Sequence, residues 1–261
     1  MKKLLLIALF ALPTLVCTAQ KKDEKKSRKT EKRQKYAAMA RQEEEGVLVY
    51  NRQNTFGLQL RTDGYGIFYE HGRMKTPRFT NLYMAEFTEI KHPKEHKLRA
   101  TEGAFGASLI LGKINYFYQF KLGFGQQYIF GQKGNKNGIA VMGIYEGGLS
   151  LGLLRPYYID VNDNGTKRSV KYESADSTLF LTKYLQSSGL SKGWNELKIR
   201  PGAFLKAALR FDFNKYNEKV QAVQIGFSVE AYSQKIPLII RRDPDRLFYQ
   251  GHLAFVFGGR R

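Results

Sequence analysis

The segment from Lys113 to Arg155 constrains the fold of this chain more than any other stretch. It contains two runs of alternating residues joined by the polar turn QKGNKNG. The apolar residues that share one parity in the first run are Tyr116, Tyr118, Phe120, Leu122 and Phe124. Those of the second run are Val141, Tyr145, Leu149, Leu151 and Leu153. Because successive side chains of a strand point to opposite faces, each run predicts a strand with one apolar face and one small or polar face.

Both runs are longer than the strands of soluble proteins, which have about 5–6 residues. A strand that crosses a membrane needs about 9–11 tilted residues. Apolar side chains on one face, with glycine and charge on the other, are typical at this length of a hairpin in an outer-membrane barrel. No later segment has about 18 consecutive apolar residues, so the sequence predicts no membrane-spanning helix.

The N-terminal residues have the pattern of a secretory signal peptide. Residues 1–3 carry two lysines, residues 4–16 are apolar, and residues 17–19 form a small-residue cleavage site. We therefore predict a signal peptide over 1–19, whose removal takes away the single cysteine of the chain. The mature chain then has no disulfide, thiolate metal site or catalytic cysteine. Lipidation of Cys17 is the alternative, although the preceding residues fit a lipobox poorly.

Residues 20–45 are predicted to form a basic periplasmic arm. Apolar residues are nearly absent from its first part, which therefore cannot bury a core. Its basic residues are Lys21, Lys22, Lys25, Lys26, Arg28, Lys29, Lys32, Arg33 and Lys35. The arm is either a solvated segment or a docking segment for an acidic partner or anionic lipid head groups. Such a run usually indicates nucleic acid, which we exclude as a partner because an exported chain rarely meets it.

Residues 46–261 are predicted to form an all-β, eight-stranded antiparallel transmembrane barrel. The segment 46–51 (GVLVYN) is interpreted as a short lead-in strand. The eight barrel strands are predicted at about 55–62, 65–72, 79–90, 113–130, 139–155, 202–213, 220–234 and 246–257. An even number of antiparallel strands closes without leaving an edge.

Loop lengths predict the orientation of this barrel, because periplasmic turns are short and external loops are long. The predicted periplasmic turns are 73–78, 131–138 and 214–219. The predicted external loops are 91–103, 158–199 and 236–245. Within the longest loop, 176–188 is predicted to be a helix that Asp176 caps and Gly189 ends. This helix could be a lid over the barrel mouth, a docking surface, or a loop packed on its own apolar residues.

The inward faces of the predicted strands carry charges of both signs. These residues are Arg61, Glu70, Glu86, Lys121, Glu146, Lys206, Arg210, Asp212 and Glu230. The interior of an eight-stranded barrel is only wide enough for side chains. Isolated charges there would be costly, whereas paired charges are tolerable. We therefore predict a side-chain-filled lumen with a network of salt bridges instead of a diffusion channel.

No catalytic set can be assembled from the sequence. The segment His92–His96 (HPKEH) matches the H-x-x-E-H pattern of inverted zinc peptidases. It lies in a charged loop, contains Pro93, and has no identifiable third ligand. His252 is predicted to face the lumen as an ordinary interior residue. We therefore expect no enzymatic activity, no metal and no cofactor.

The predicted periplasmic side of the barrel is strongly basic. Arg73, Lys75 and Arg78 lie in its first turn, next to the basic arm. The other basic residues predicted on this side are Lys133, Lys136, Lys215, Lys219, Arg260 and Arg261. One interpretation is that phosphates of the inner leaflet favour Lys and Arg at this interface. The other is that the face docks an acidic periplasmic protein.

Four further features carry a resemblance to a known family: the signal ending TAQ, the strand GKINYFYQFKLGFGQQ with its polar turn, the segment EGGLSLGLLRPYY, and the terminal strand ending FVFGGRR. On these features the chain resembles the small outer-membrane β-barrel proteins of Bacteroidetes over about 46–261. The resemblance implies the barrel and its membrane, but no activity, because such barrels serve many roles. Barrels of this kind usually end on an aromatic residue, whereas here Phe257 is followed by four more residues.

The leading hypothesis is a non-enzymatic accessory subunit of a larger envelope assembly, for protein export or barrel insertion. Its partners would be outer-membrane lipids and envelope proteins on the periplasmic or lateral face. One alternative is a free-standing barrel for envelope stability or adhesion. A second alternative is a lipid A-modifying barrel enzyme.

Overall fold

The computed structural model describes Leu48 and residues 50–99, 108–134, 137–163, 165–172, 177–182, 184–189, 191–240 and 243–261. The predicted signal peptide (1–19) and basic arm (20–45) lie outside the described residues. The strands in chain order are β1 (Arg52–Arg61), β2 (Gly64–Met74), β3 (Phe79–Ile90), β4 (Lys97–Arg99), β5 (Ser108–Ile110), β6 (Asn115–Gly131), β7 (Ala140–Pro156), β8 (Tyr158–Asp163), β9 (Thr166–Lys171), β10 (Tyr184–Ser187), β11 (Lys198–Asp212), β12 (Lys219–Ile236) and β13 (Asp245–Arg260). Helix α1 spans Ser177–Thr182, and a 3₁₀ helix spans Trp194–Glu196.

Eight of these strands close into a barrel in the order β1-β13-β12-β11-β7-β6-β3-β2. Every neighbouring pair is antiparallel, and the pairing of β1 with β13 closes the ring. This confirms the prediction of an eight-stranded antiparallel barrel. The structural strands differ from the predicted ones mainly at their ends, where β2 and β11 begin earlier.

The alternation of side chains sets the two faces of the barrel wall. In β1, Gln53 and Gln59 are buried while Phe56 and Leu58 between them are exposed. The same period of two continues in the other barrel strands. Polar and charged side chains therefore face the lumen, and large apolar side chains face outward.

The two ends of the barrel differ. The turn end carries the short connections 75–78, 132–139 and 213–218 together with the C-terminal Arg261. The loop end carries the tight turn 62–63 and the longer connections 91–114, 157–197 and 237–244. This is the grouping of turns and loops that the sequence predicted. No helix among the residues that the structure describes is long and apolar enough to cross a membrane.

The connection 157–197 folds into a small unit above the loop end, which we call the loop module. Its three-stranded antiparallel sheet has the order β10-β8-β9. Buried apolar residues of this sheet pack with β5 and α1 in a core of their own: Leu109, Ile110, Tyr157, Ile159, Val161, Val170 and Phe180. The sequence did not predict this sheet.

Two local predictions were wrong. The helix predicted over 176–188 is limited to Ser177–Thr182, and residues 184–187 pair with β8 as a strand instead. Backbone pairing with the open edge of β8 overrides the weak local preference for a helix. The lead-in strand predicted over 46–51 is also absent from its described residues, because Leu48 and Tyr50 enter the mouth of the lumen as irregular chain.

Candidate functional site

The lumen holds a cluster of ion pairs in its loop-side half, centred on Glu86 of β3. The Nζ atoms of Lys121 and Lys206 donate to its two carboxylate oxygens at 3.0 and 3.1 Å. The Nη1 atom of Arg61 lies 3.3 Å from Oε1 of the same carboxylate. Three cations from β1, β6 and β11 therefore converge on one buried acid.

A second carboxylate, Glu230 of β12, shares two of these cations. Nη2 of Arg61 donates to its Oε1 at 2.5 Å, and Nζ of Lys121 donates to the same atom. Gln119 donates to Oε2 at 2.6 Å. Arg61 and Lys121 thus bridge two acids, so the loop-side cluster spans the lumen from wall to wall.

A second layer lies closer to the turn end. Nη2 of Arg210 donates to both carboxylate oxygens of Glu70, at 2.8 and 2.7 Å. Its Nε and Nη2 atoms also donate to Gln224, at 3.0 and 2.6 Å. Glu146 belongs to the loop-side cluster, because its Oε2 lies 3.6 Å from Nζ of Lys206. All nine residues that the sequence assigned to the lumen are buried.

A third layer of ion pairs lies at the turn end of the lumen. Nη2 of Arg260 lies 2.7 Å from Oδ2 of Asp212, and Lys133 lies 3.9 Å from its other oxygen. The Arg260 guanidinium stands over the ring of Tyr50 at 5.0 Å, and Leu48 is fully buried beside it. Sequence reasoning placed Arg260 and Lys133 on the exposed basic face. The alternation along β13 could have predicted its position, because Arg260 shares the inward face with Ala254 and Val256.

An apolar cluster lies above the charges at the loop end. Phe117, Tyr232 and Phe248 meet ring to ring, with centroids 5.3 to 5.9 Å apart. The Tyr232 hydroxyl contacts Ser150 at 2.7 Å, and Gln119 donates to it at 2.6 Å. The polar interior is therefore covered by aromatic rings on the loop side and by Leu48 and Tyr50 on the turn side.

The HPKEH segment forms a turn, not a metal-binding helix. The backbone amide of Glu95 donates to the carbonyl of His92, and the His92 amide donates to the Glu95 carboxylate. Both Glu95 oxygens also accept from Nζ of Lys113, at 2.9 and 3.0 Å. Burial lowers the pKa of Lys113, and the Glu95 charge opposes that shift. Glu95 is thus an ion-pair partner in this structure, and no cluster of three or more potential metal ligands occurs among the described residues.

The loop module is joined to the barrel through Arg155, which is fully buried at the end of β7. Its guanidinium stacks over the rings of Tyr116 and Trp194, at 4.3 and 4.8 Å. Glu196, next to this joint, accepts from Lys171 and Tyr158 at 2.5 Å each. These two hydrogen bonds lower the pKa of the Glu196 carboxyl.

One part of the predicted basic face lies in the structure, in the turn between β2 and β3. Arg73, Lys75 and Arg78 are all exposed there. The Arg78 side chain contacts β6, where its Nη1 lies 3.5 Å from the Tyr128 hydroxyl. The arm residues that would complete this face, from Lys21 to Lys35, lie outside the described part of the chain.

No protein-family model matches the sequence, and no curated protein matches it. Three solved structures resemble the fold remotely. The attachment invasion locus protein Ail of Yersinia pestis, in complex with the heparin analogue sucrose octasulfate, is 8% identical with a TM-score of 0.38, over 82% of this chain and 100% of Ail. The Neisserial surface protein A is 9% identical with a TM-score of 0.39, over 80% and 96%. The N-terminal β-barrel domain of OprF of Pseudomonas aeruginosa is 10% identical with a TM-score of 0.35, over 80% and 98%. Similarity at this level carries no argument about function.

Proposed function

We propose that this chain is an integral outer-membrane β-barrel without enzymatic activity, free-standing in the membrane, whose working surface is the loop module. The membrane location rests on one observation, which is the outward face of the barrel. Each of the eight strands exposes large apolar side chains, for example Leu58, Ile67, Tyr83, Leu122, Leu149, Leu205, Ile225 and Phe255. Soluble monomers rarely expose a contiguous apolar patch above about 300–600 Å². A closed barrel satisfies its own backbone in lipid, which is what spanning by strands requires.

The lumen supports an anchor better than a channel. Cations from β1, β6 and β11 meet acids from β2, β3 and β12 in the layers described above, and both mouths are covered by apolar side chains. A single-sign ring of charge, as in ion-selective pores, does not fit this balance. We infer that side chains fill the lumen.

The surroundings of His252 support a non-enzymatic role. Its Nε2 atom contacts the Gln224 amide at 3.3 Å. On the other side, the ring stands against Gly226, where a side chain would meet it. An imidazole enclosed in the barrel wall in this way has the environment of a packed interior residue.

The loop module supports a role in recognition outside the cell. It has its own core and is fixed to the barrel through the buried Arg155. Several lysines are exposed in the loop-end connections: Lys94, Lys97, Lys167 and Lys192. With the turn end in the periplasm, this surface faces the medium and suits polyanionic ligands.

The test uses the full chain in liposomes and its binding to a sulfated polysaccharide. Lys167→Glu combined with Lys192→Glu should abolish most of the binding, whereas Lys75→Glu at the opposite end should retain it when the turn end is inside the vesicle. Mild-detergent extraction followed by light scattering should give one chain per micelle. Equal binding by all variants, or a stable complex with other envelope proteins, would overturn the proposal.

The second candidate is the accessory subunit of an envelope assembly. The observation that favours it is the position of Leu48 and Tyr50 in the lumen mouth at the turn end. The segment that precedes them therefore joins the barrel beside the exposed Arg73, Lys75 and Arg78. Replacing the basic residues of 21–35 by glutamine should then remove co-purifying envelope proteins. Unchanged co-purification would refute this candidate.

A further inference from the structure

The outer wall of the barrel has a groove in its turn-side half, which we call the wall groove. It crosses β6, β7, β11 and β12 and has a volume of about 670 Å³. The side chains along its edges are Phe79, Tyr128, Phe130, Tyr145, Leu209 and Phe227. Its volume lies within the range of about 300–1,000 Å³ that is usual for ligand sites.

The groove follows from small residues at outward positions. Gly143 of β7 and Ala207 of β11 hold positions at which other barrel strands carry large apolar residues. Ala207 pairs with Tyr145 on one side and with Phe227 on the other, so its methyl group lies between two large side chains. The Phe130 ring covers Gly143, where an added Cβ would lie 2.4 Å from it, so the wall is thin at Ala207 and raised on both sides of that residue.

The turn-end side of the groove carries a cation. Arg78 is exposed in the turn between β2 and β3, and its Nη1 lies 3.5 Å from the hydroxyl of Tyr128. The Tyr128 ring in turn lies 4.8 Å from Phe79 and 5.2 Å from Phe130. The wall groove thus has aromatic sides and leads to an arginine at the turn end of the barrel.

We propose that the wall groove binds one phospholipid of the adjacent leaflet, with an acyl chain along Ala207 and the headgroup phosphate on Arg78. The proposal rests on the membrane location proposed above. Arginine is the residue best suited to bind phosphate, because its planar guanidinium offers paired donors. Aromatic residues with Arg or Lys are also the usual composition of the interface between membrane and water. The apolar lining and the Arg78 guanidinium match the two parts of such a lipid.

The experiment is native mass spectrometry of the full chain, extracted from its own membrane in mild detergent. Ala207→Phe fills the groove, and Arg78→Gln removes the cation. Ala231→Phe is the matched control, because Ala231 is also an exposed outward residue but lies on β12 away from the groove. The wild type and Ala231→Phe should retain one phospholipid. Ala207→Phe should lose it, and Arg78→Gln should bind about tenfold more weakly, as expected for one charge-assisted hydrogen bond.

Three results would overturn the proposal: a wild type without a lipid adduct, an adduct retained equally by all variants, or full retention in Arg78→Gln. The second result would indicate annular lipid without a specific site. Heat-modifiable migration in gels reports whether each variant is folded, and Ala207→Leu replaces Ala207→Phe if the larger residue prevents folding. Cell fractionation tests the membrane location separately from lipid binding. A chain that does not fractionate with the outer membrane would refute the proposed membrane location itself.

Discussion

The layered lumen predicts that its ion pairs are strongly coupled, and the pair Glu70–Arg210 gives the cleanest test. The two side chains are 0% and 1% exposed, and they meet through two hydrogen bonds of 2.8 and 2.7 Å. The test compares three variants: Glu70→Leu, Arg210→Met and the double variant that carries both changes. The residues come from β2 and β11, on different sides of the barrel, so their contact crosses the lumen.

The expected magnitude follows from burial. Two unit charges about 4 Å apart attract by about 4 kcal/mol at an effective dielectric constant of about 20. Removing one partner leaves the other charge buried, which costs about 3–5 kcal/mol in the free energy of unfolding. Removing both partners eliminates the attraction and the desolvation penalty together, so the double variant should lie within about 2 kcal/mol of the wild type. The two single costs together exceed that of the double variant by at least about 4 kcal/mol, which is the expected coupling free energy.

The assay is reversible urea unfolding of the barrel in lipid vesicles, monitored by circular dichroism. Asp163→Asn is the control, because Asp163 forms an exposed pair with Arg168 at 4.0 Å. Loss of an exposed pair should cost less than about 1 kcal/mol. The reasoning is refuted if each single lumen variant costs no more than this control, or if the double variant equals the sum of the two single variants.

Three further predictions concern the wall and the loop module. Gly148→Ala should destabilise the barrel by about 1–3 kcal/mol, because its Cβ would lie 2.1 Å from a carbonyl oxygen of β6. The control is Gly131→Ala, which has nothing within 4 Å of its Cβ and should change the unfolding free energy by less than about 0.5 kcal/mol. Equal urea midpoints for the two variants would contradict the prediction. Arg155→Met should shift the fluorescence of Trp194, the single tryptophan of the chain, to longer wavelength while circular dichroism of the barrel is unchanged; unchanged emission and iodide quenching would show that the guanidinium does not hold the joint. The lowered pKa of Glu196 means that its stabilisation is present above its ordinary pKa of 4.5 and is lost as the pH falls through the folded pKa. The tryptophan emission should therefore shift on acidification, and less so in Glu196→Gln; an identical pH profile in both proteins would argue against the role of this carboxylate.

The barrel could be predicted because its signal is local and repeated. In β1 the exposed Leu58 and the buried Gln59 are neighbours in sequence, and the same alternation returns in every barrel strand. The connections at the turn end are polar and short, so the strands that they join are predicted to be antiparallel neighbours. Parity also assigned Arg210 and Glu230 to the inside, since each lies one residue from an outward apolar position.

The pairing of these charges could not be predicted, because it depends on the register across the lumen. Glu70 and Arg210 are separated by 140 residues, and no property of either strand alone indicates the other. The sheet of the loop module was not predicted for a related reason. The segment 184–187 forms β10 only because β8 offers an open edge, whereas its local spacing of apolar residues favoured a helix. Arg260 was misplaced because chain position near the terminus was given more weight than its parity.

The arrangement of the lumen bears on where this protein can act. Arg61 and Lys121 each contact both Glu86 and Glu230, so opening a path through the barrel would break several buried ion pairs at once. Each such break leaves an uncompensated buried charge, at a cost of about 3–5 kcal/mol. The loop module, in contrast, has a core and a joint separate from the lumen, so its surface can change without disturbing these pairs. The proposed recognition at the loop end is therefore compatible with a charge-paired interior, because a change at the loop module leaves these ion pairs intact.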